Sequence, residues 1–223
     1  MTKPQRFVFW LVALLIIAGV VLVCAMRQCQ VRHSANTRYS PLTIEQRPAD
    51  HELDIVFGNA DAPHTIYMYA NYQCRYCQQF FEEVLPNLSS WLDSKGVRLV
   101  LKLVGKSTHP AAQRAQRAAV SVHRYGNYTA LHNLLTFNYL SVYTDDFQGM
   151  VDDFIDRDHQ LAQLMLEGEA ESYLEANNQE FDGMGFEGTP VFVMHDHAYV
   201  GFRNLSTFSQ IVDFELKRKN KLN

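Results

Sequence analysis

Two of the chain's four cysteines stand as Cys74-Arg75-Tyr76-Cys77. Two thiols three positions apart can close into a small disulfide and open again by exchange with a disulfide or dithiol brought from outside. The reactive form is the thiolate, so the chemistry needs a place where a negative sulfur is favoured. The local sequence offers one. His64 to Tyr69 (HTIYMY) is β-branched and aromatic and reads as a strand. After Cys77, residues Phe80, Phe81, Val84, Leu85, Leu88, Trp91 and Leu92 recur at spacings of three and four, as on one face of a helix. Cys74 then begins that helix, where unpaired N–H groups and the positive end of the dipole favour a thiolate. Arg75 adds a cation beside it, and Cys77 lies one turn inward as the resolving thiol. The same spacing also suits an inert disulfide or half of a zinc site. Zinc takes four ligands, and no second CxxC exists. Cys24 lies in an apolar run and Cys29 beside it, so neither easily reaches Cys74; no metal or cofactor is expected.

Gly188-Thr189-Pro190 introduces the strand-like Val191-Phe192-Val193-Met194. Proline donates no ladder hydrogen bond, so its place at a strand start is unusual. A cis Thr189–Pro190 bond opposite the CxxC would leave backbone free to pair with an extended substrate chain. His195-Asp196-His197 reads as a solvated hairpin turn rather than a two-imidazole metal site.

Other segments supply the frame. Strands are expected at 55–57, 97–104 and 198–202. Pro86 should kink the helix after Cys77, and Lys95-Gly96 should end it. Residues 109–186 read as mostly helical. A last helix runs from Thr207 to Lys219, with Ser206 as its N-cap. The order of strands and helices is that of an α/β protein. The chain has 223 residues and a net charge of −4, so bulk charge gives no reason to expect nucleic acid. Charge is segregated: Asp145–Glu187 carries 13 acids and one Lys or Arg, Arg157, whereas Arg98–Arg124 carries six bases and no acid. Solvated helical faces are the simplest reading. Phe7 to Met26 is 20 residues without a charge, enough to span a bilayer as a helix. A short head at 1–6, an uncleaved signal anchor at 7–26, a linker at 27–50 and an exported domain at 51–223 are therefore expected, with a cleaved signal peptide as the alternative.

NYQCRYC followed by a Phe-rich kinked helix resembles the active site of the DsbA family of thiol–disulfide oxidoreductases. Phe57 to Pro63 resembles the turn ahead of that family's active-site strand. His109 to Ala112, Ala118, Ala119 and Leu131 to Leu135 resemble its helical insertion, and Gly188-Thr189-Pro190 its cis-proline motif. The resemblance spans about residues 52–216. It implies a thioredoxin-like fold with a helical domain inserted at about 107–186, preceded here by the transmembrane helix. It also implies Cys74 as nucleophile, Cys77 as resolving cysteine, Arg75 and Tyr76 as the active-site dipeptide, and Thr189 and Pro190 facing the substrate. The partners implied are cysteine-bearing proteins and a membrane redox partner that resets the pair, with the domain on the periplasmic side of the inner membrane. Two departures stand out. Many members carry an acid six residues before the first cysteine and Asp three before it; here these are Met68 and Asn71. Glu82 and Glu83 are expected to face solvent, and Lys102 to snorkel to the surface. Tyr76 and Thr189 resemble isomerase and reductase members, so the same site run in those directions is an alternative, as is a non-catalytic peptide-binding or chaperone module.

Overall fold

The central strand of the domain is β3 (His64–Ala70), and its sequence explains why. Ile66, Met68 and Ala70 point to one face and Tyr67 and Tyr69 to the other, so both faces must be covered. The computed structural model describes residues 41–105, 109–124, 126–138 and 141–222, which from Leu42 on form one unit. Its other strands are β1 (Leu42–Thr43), β2 (Ile55–Phe57), β4 (Val97–Leu103), β5 (Val191–Met194) and β6 (His197–Val200). They form one sheet in the order β1-β6-β5-β3-β4-β2, in which only β3 and β4 run parallel. Tyr69 sits opposite Lys102 on one side and Val191 on the other.

On the Met68 face lie α1 (Arg75–Glu83), α2 (Ser89–Lys95) and α8 (Leu205–Leu222), which bury Phe80, Phe81, Leu92 and Phe208. Pro86 does more than kink the first of these: a 3₁₀ turn over Leu85–Asn87 separates α1 from α2. Gly96, at φ 63°, ends α2 in the left-handed conformation that a side chain would disfavour. The opposite face packs Tyr69, Val191 and Val193 against Phe181 and Phe186.

Among the described residues five α-helices stand between β4 and β5: α3 (Pro110–His123), α4 (Tyr128–Phe137), α5 (Asp145–Asp156), α6 (His159–Leu166) and α7 (Glu169–Gly183). Ala111, Ala112, Ala115, Ala118 and Ala119 are all buried, and such small side chains let neighbouring helices approach α3 closely. The segregated charges are its pairing code. From α3, Arg114 meets Asp152 of α5, while Arg117 and Arg124 meet Glu171 and Glu169 of α7. Asp145, Asp146, Glu169 and Glu171 also occupy first helical turns, where the dipole favours them. The acid-rich stretch is thus partly a docking face, where solvated faces were expected.

Several sequence expectations are corrected. Leu42 and Thr43, inside the stretch read as linker, pair with Ala198 and His197 at the sheet edge. Asn204, not Ser206, caps α8, accepting from the Thr207 N–H at 2.9 Å. Lys102 does not snorkel: it is 2% exposed, with Nζ 3.3 Å from Asp54, 3.5 Å from Glu180 and 3.5 Å from the Asn177 side-chain oxygen. Tyr173 donates to Asp54 and Tyr69 to Glu180, so the cluster ties β3, β4 and the segment before β2 to α7. The span expected at Phe7–Met26, the head before it and linker residues 27–40 lie outside the described residues. Among the described residues no helix is long and apolar enough to cross a membrane.

Removing the buried cation would leave two carboxylates facing each other without compensation. Lys102→Met, which keeps most of the stem, should lower the unfolding free energy by about 3–5 kcal/mol, read from the urea midpoint. An unchanged midpoint would show that the cluster adds no ionic cohesion.

Candidate active site

Asn71 shapes the approach to the first cysteine. Its side-chain oxygen accepts from the Gln73 N–H at 2.7 Å and its carbonyl from the Cys74 N–H at 3.0 Å, closing a turn at the end of β3. Cys74 is the N-cap of α1 in extended conformation, and its carbonyl accepts from the N–H groups of both Cys77 and Gln78 at 3.0 Å. The chain therefore turns into the helix with Cys74 Sγ half-buried at the mouth and Cys77 fully buried behind it. Both are free thiols, so the site is in its dithiol form.

The Thr189–Pro190 bond is cis, as the sequence suggested. The antiparallel pairing of β3 with β5 carries this segment to the end of the sheet where Cys74 stands. The Pro190 carbonyl accepts from the Gly201 N–H at 2.7 Å, while the Thr189 carbonyl oxygen lies 3.1 Å from Cys74 Sγ and accepts its thiol proton. Cys74, Cys77 and the Thr189–Pro190 pair are thus brought together. Arg75 and Tyr76 stand exposed on the outer side of the helix start, Tyr76 at 58%.

The two sulfurs are driven in opposite directions. The Cys74 thiol falls from its ordinary value to about 5, chiefly because the Cys77 thiol donates to the Cys74 thiolate. The Thr189 side chain and the N–H groups of Cys77 and Tyr76 add to this and outweigh the cost of partial burial. Arg75, the cation offered by the sequence, is not among these groups. Burial raises Cys77 well above its ordinary value, and the charge on Cys74 adds to the rise. One thiol is prepared to attack or leave as an anion, and the other holds its proton.

Met68, at the position where many family members carry an acid, is buried in the same core as Cys77, and Glu82 and Glu83 face solvent as expected. The groups that act most on Cys77 are Cys74, Thr189 and Asn71, none of them a carboxylate.

Sequence reasoning passed over Gln78 and the partners of Tyr72. Gln78 is 1% exposed and donates its side-chain amide to the Tyr72 carbonyl, bracing the turn before Cys74. Its position four residues after Cys74, on the inward face, was the available signal. The Tyr72 hydroxyl lies 2.8 Å from His132 Nδ1 and 3.0 Å from the Tyr128 hydroxyl, both on α4. Burial lowers His132 to about 4, so it is a neutral partner near neutral pH. No local pattern reveals this triad, because it joins residues 56 and 60 positions apart.

His195 and His197 are not a solvated turn: both are half-buried and face Glu215, their Nδ1 atoms 3.5 and 2.6 Å from its carboxylate. His195 and Asp196 make the hairpin turn, with His197 already in β6. The wholly buried Glu215 of α8 lies 2.6 Å from His197 Nδ1 and accepts from Tyr199 at 2.5 Å and Arg218 at 2.8 Å. This clasp fixes α8 at the end of the sheet away from Cys74.

The depressed Cys74 value has a measurable signature. Alkylation of Cys74 by iodoacetamide in the reduced full chain, read on the peptide that carries it by mass spectrometry so that Cys24 and Cys29 do not contribute, should follow one ionisation with a midpoint near pH 5. A pKa depressed by folding stabilises the folded dithiol form above the unfolded thiol's value of about 8.5, and this is lost as pH falls toward 5. The difference in melting temperature between the reduced chain and Cys74→Ser should therefore shrink across that window and be flat below it. A midpoint near 8.5 would contradict the geometry.

The thioredoxin family model matches residues 50–214, most of the chain. Among curated proteins, the Na(+)/H(+) antiporter NhaA 3 of Salinispora tropica is 36% identical over 89 residues, 40% of this chain and 13% of that protein. The thiol:disulfide interchange protein DsbG of Pseudomonas aeruginosa is 34% identical over 68 residues, 30% of this chain and 25% of that protein. The chain spans no more than 25% of the length of these curated relatives. A thioredoxin-like oxidoreductase from Silicibacter pomeroyi superposes with a TM-score of 0.59 at 26% identity, covering 75% of this chain and 94% of that one. The α-DsbA1 of Wolbachia pipientis shares the fold at 15% identity, with a TM-score of 0.62 over 78% of this chain and 96% of that one. With a CxxC opening α1, five helices inserted between β4 and β5 and a cis-proline facing the nucleophile, the chain belongs to the thioredoxin family and is built like its DsbA-type members.

Proposed function

We propose that this protein is a membrane-anchored, exported thiol–disulfide oxidoreductase that donates disulfides to cysteine-bearing protein clients. The observation that carries the reading is the opposed state of the two thiols: Cys74, whose sulfur faces the Thr189 carbonyl at 3.1 Å, is held toward the anion, and the buried Cys77 is held protonated. In the oxidised enzyme a client thiolate attacks Cys74 Sγ. The Cys74–Cys77 bond breaks, Cys77 leaves and takes up the proton given up by the client, and a client–Cys74 disulfide forms. A second client thiolate then attacks the client sulfur and expels Cys74 as its stabilised thiolate. Two electrons pass from client to enzyme and the client gains one disulfide. A membrane redox partner removes those electrons and restores the Cys74–Cys77 bond.

What the fold stabilises supports this direction. A favoured Cys74 thiolate lowers the free energy of the reduced pair, which makes the disulfide a better oxidant. The uncharged run Phe7–Met26 supports anchoring, with the domain on the periplasmic side of the inner membrane. Export would place the CxxC where disulfides persist.

Equilibration of the full chain, in nonionic detergent, against glutathione should give a reduction potential between about −230 and −120 mV. A value near about −270 mV would make it a reductase, or an isomerase that needs an electron donor. Cys74→Ser should abolish oxidation of a reduced client such as ribonuclease. Cys77→Ala should accumulate mixed disulfides on Cys74, and full activity in Cys74→Ser would sink the catalytic reading in favour of a binding module.

A further inference from the structure

A cleft of about 140 Å³ shares two of its lining residues with the setting of the nucleophile. It is lined by Asn71, Val104, Phe181, Glu187, Gly188 and Thr189. Two of these residues also hold Cys74: the Asn71 carbonyl accepts from its N–H, and the Thr189 carbonyl lies 3.1 Å from its sulfur. A client cysteine joined to Cys74 therefore brings its sequence neighbours to the rim of the cleft, since an extended chain advances about 3.3 Å per residue.

The lining is divided by chemistry. Val104 and Phe181 are 5% and 4% exposed and form an apolar wall continuous with the core beneath Tyr69. Asn71 and Thr189 are polar and uncharged. Among the described residues of the lining Glu187 is the one that is charged, and it is exposed. It stands at the end of a segment with 13 acids and a single Lys or Arg. Asp152, Glu169 and Glu171 of that segment are spent on arginines of α3 and its C-cap, but among the described residues no such ion pair is found for Glu187. An apolar wall with a carboxylate at its edge suits a side chain with a long aliphatic stem and a cationic head. A shorter or anionic side chain would leave the wall uncovered or set like charges together.

Resting on the disulfide-exchange reading above, we infer that this cleft selects clients carrying lysine or arginine next to the reacting cysteine, with Glu187 the specificity-determining residue. The stem lies on Phe181 and Val104 and the head pairs with Glu187. The preference acts on formation of the mixed disulfide and leaves the exchange chemistry itself unchanged.

The test uses the oxidised full chain in nonionic detergent at about 0.15 M salt, where surface fields are screened beyond about 8 Å. Second-order rate constants for mixed-disulfide formation are measured with short peptides holding one cysteine flanked on both sides by lysine, alanine or glutamate. A fourth peptide has alanine flanks and its lysines six residues away. The lysine-flanked peptide should react about fivefold faster than the alanine one, the scale of a partly exposed ion pair, and the glutamate one slower. The distant-lysine peptide should behave like the alanine one, which separates the cleft from the general acidic field. In Glu187→Gln the lysine-to-alanine ratio should fall to about one, and in Glu187→Lys the order of lysine and glutamate should invert. Equal rates for all peptides, an equal advantage for the distant lysines, or a preference that survives in Glu187→Gln would each overturn the inference while leaving the redox reading intact. If no peptide formed a mixed disulfide, the redox reading would fall, and this inference with it.

Discussion

The contact between Cys74 Sγ and the Thr189 carbonyl joins residues 115 positions apart, and much of the architecture serves to make it. The sulfur is placed by the turn at Asn71 and the start of α1, both of which hang from the end of β3. The carbonyl is placed by β5, whose antiparallel pairing sets Tyr69 opposite Val191 and so fixes where Thr189 and Pro190 fall. A slip of one residue in that pairing would turn the side chains of β5 to the wrong faces, moving Val191 and Val193 out of one core and Phe192 and Met194 out of the other. The register that fills two cores is thereby the register that assembles the site.

The helical insertion is tied to this frame at several points of different character. Beneath the active-site turn, Tyr72 meets Tyr128 and His132 of α4 in a small buried polar set. On the opposite face, Lys102, Asp54 and Tyr69 meet Tyr173, Asn177 and Glu180 of α7. Buried charges gain little net stability over well-packed apolar groups, but they tolerate few alternative arrangements. Such contacts fix how an inserted domain sits on its host, since apolar surfaces alone leave more freedom to slide.

What could be read from the sequence was the part encoded in neighbouring residues. The CxxC, the proline before β5, the alternation of β3, the Pro86 break and the Gly96 stop are local patterns, each with a local physical cause. The charge imbalance was also visible, but its meaning was not: Arg114 and Asp152 are 38 positions apart and Arg117 and Glu171 are 54 apart, and only the folded chain brings them together. Lys102 was misjudged for the same reason, because Asp54 and Glu180 come from distant segments. Leu42 and Thr43 escaped notice because a strand of two residues is too short to show a period.

The brevity of the outermost strands bears on how such a protein handles unfolded material. One margin of the sheet ends in two residues and the other in three. Unpaired margins of longer strands are templates on which sticky, half-folded chains accumulate. Here those margins give a visiting polypeptide little to grip. The segment that leads into β5 stands instead against the sulfur of Cys74. On the disulfide-exchange reading proposed above, a chain that lingers there reacts and leaves, so the fold would separate handling clients from being fouled by them.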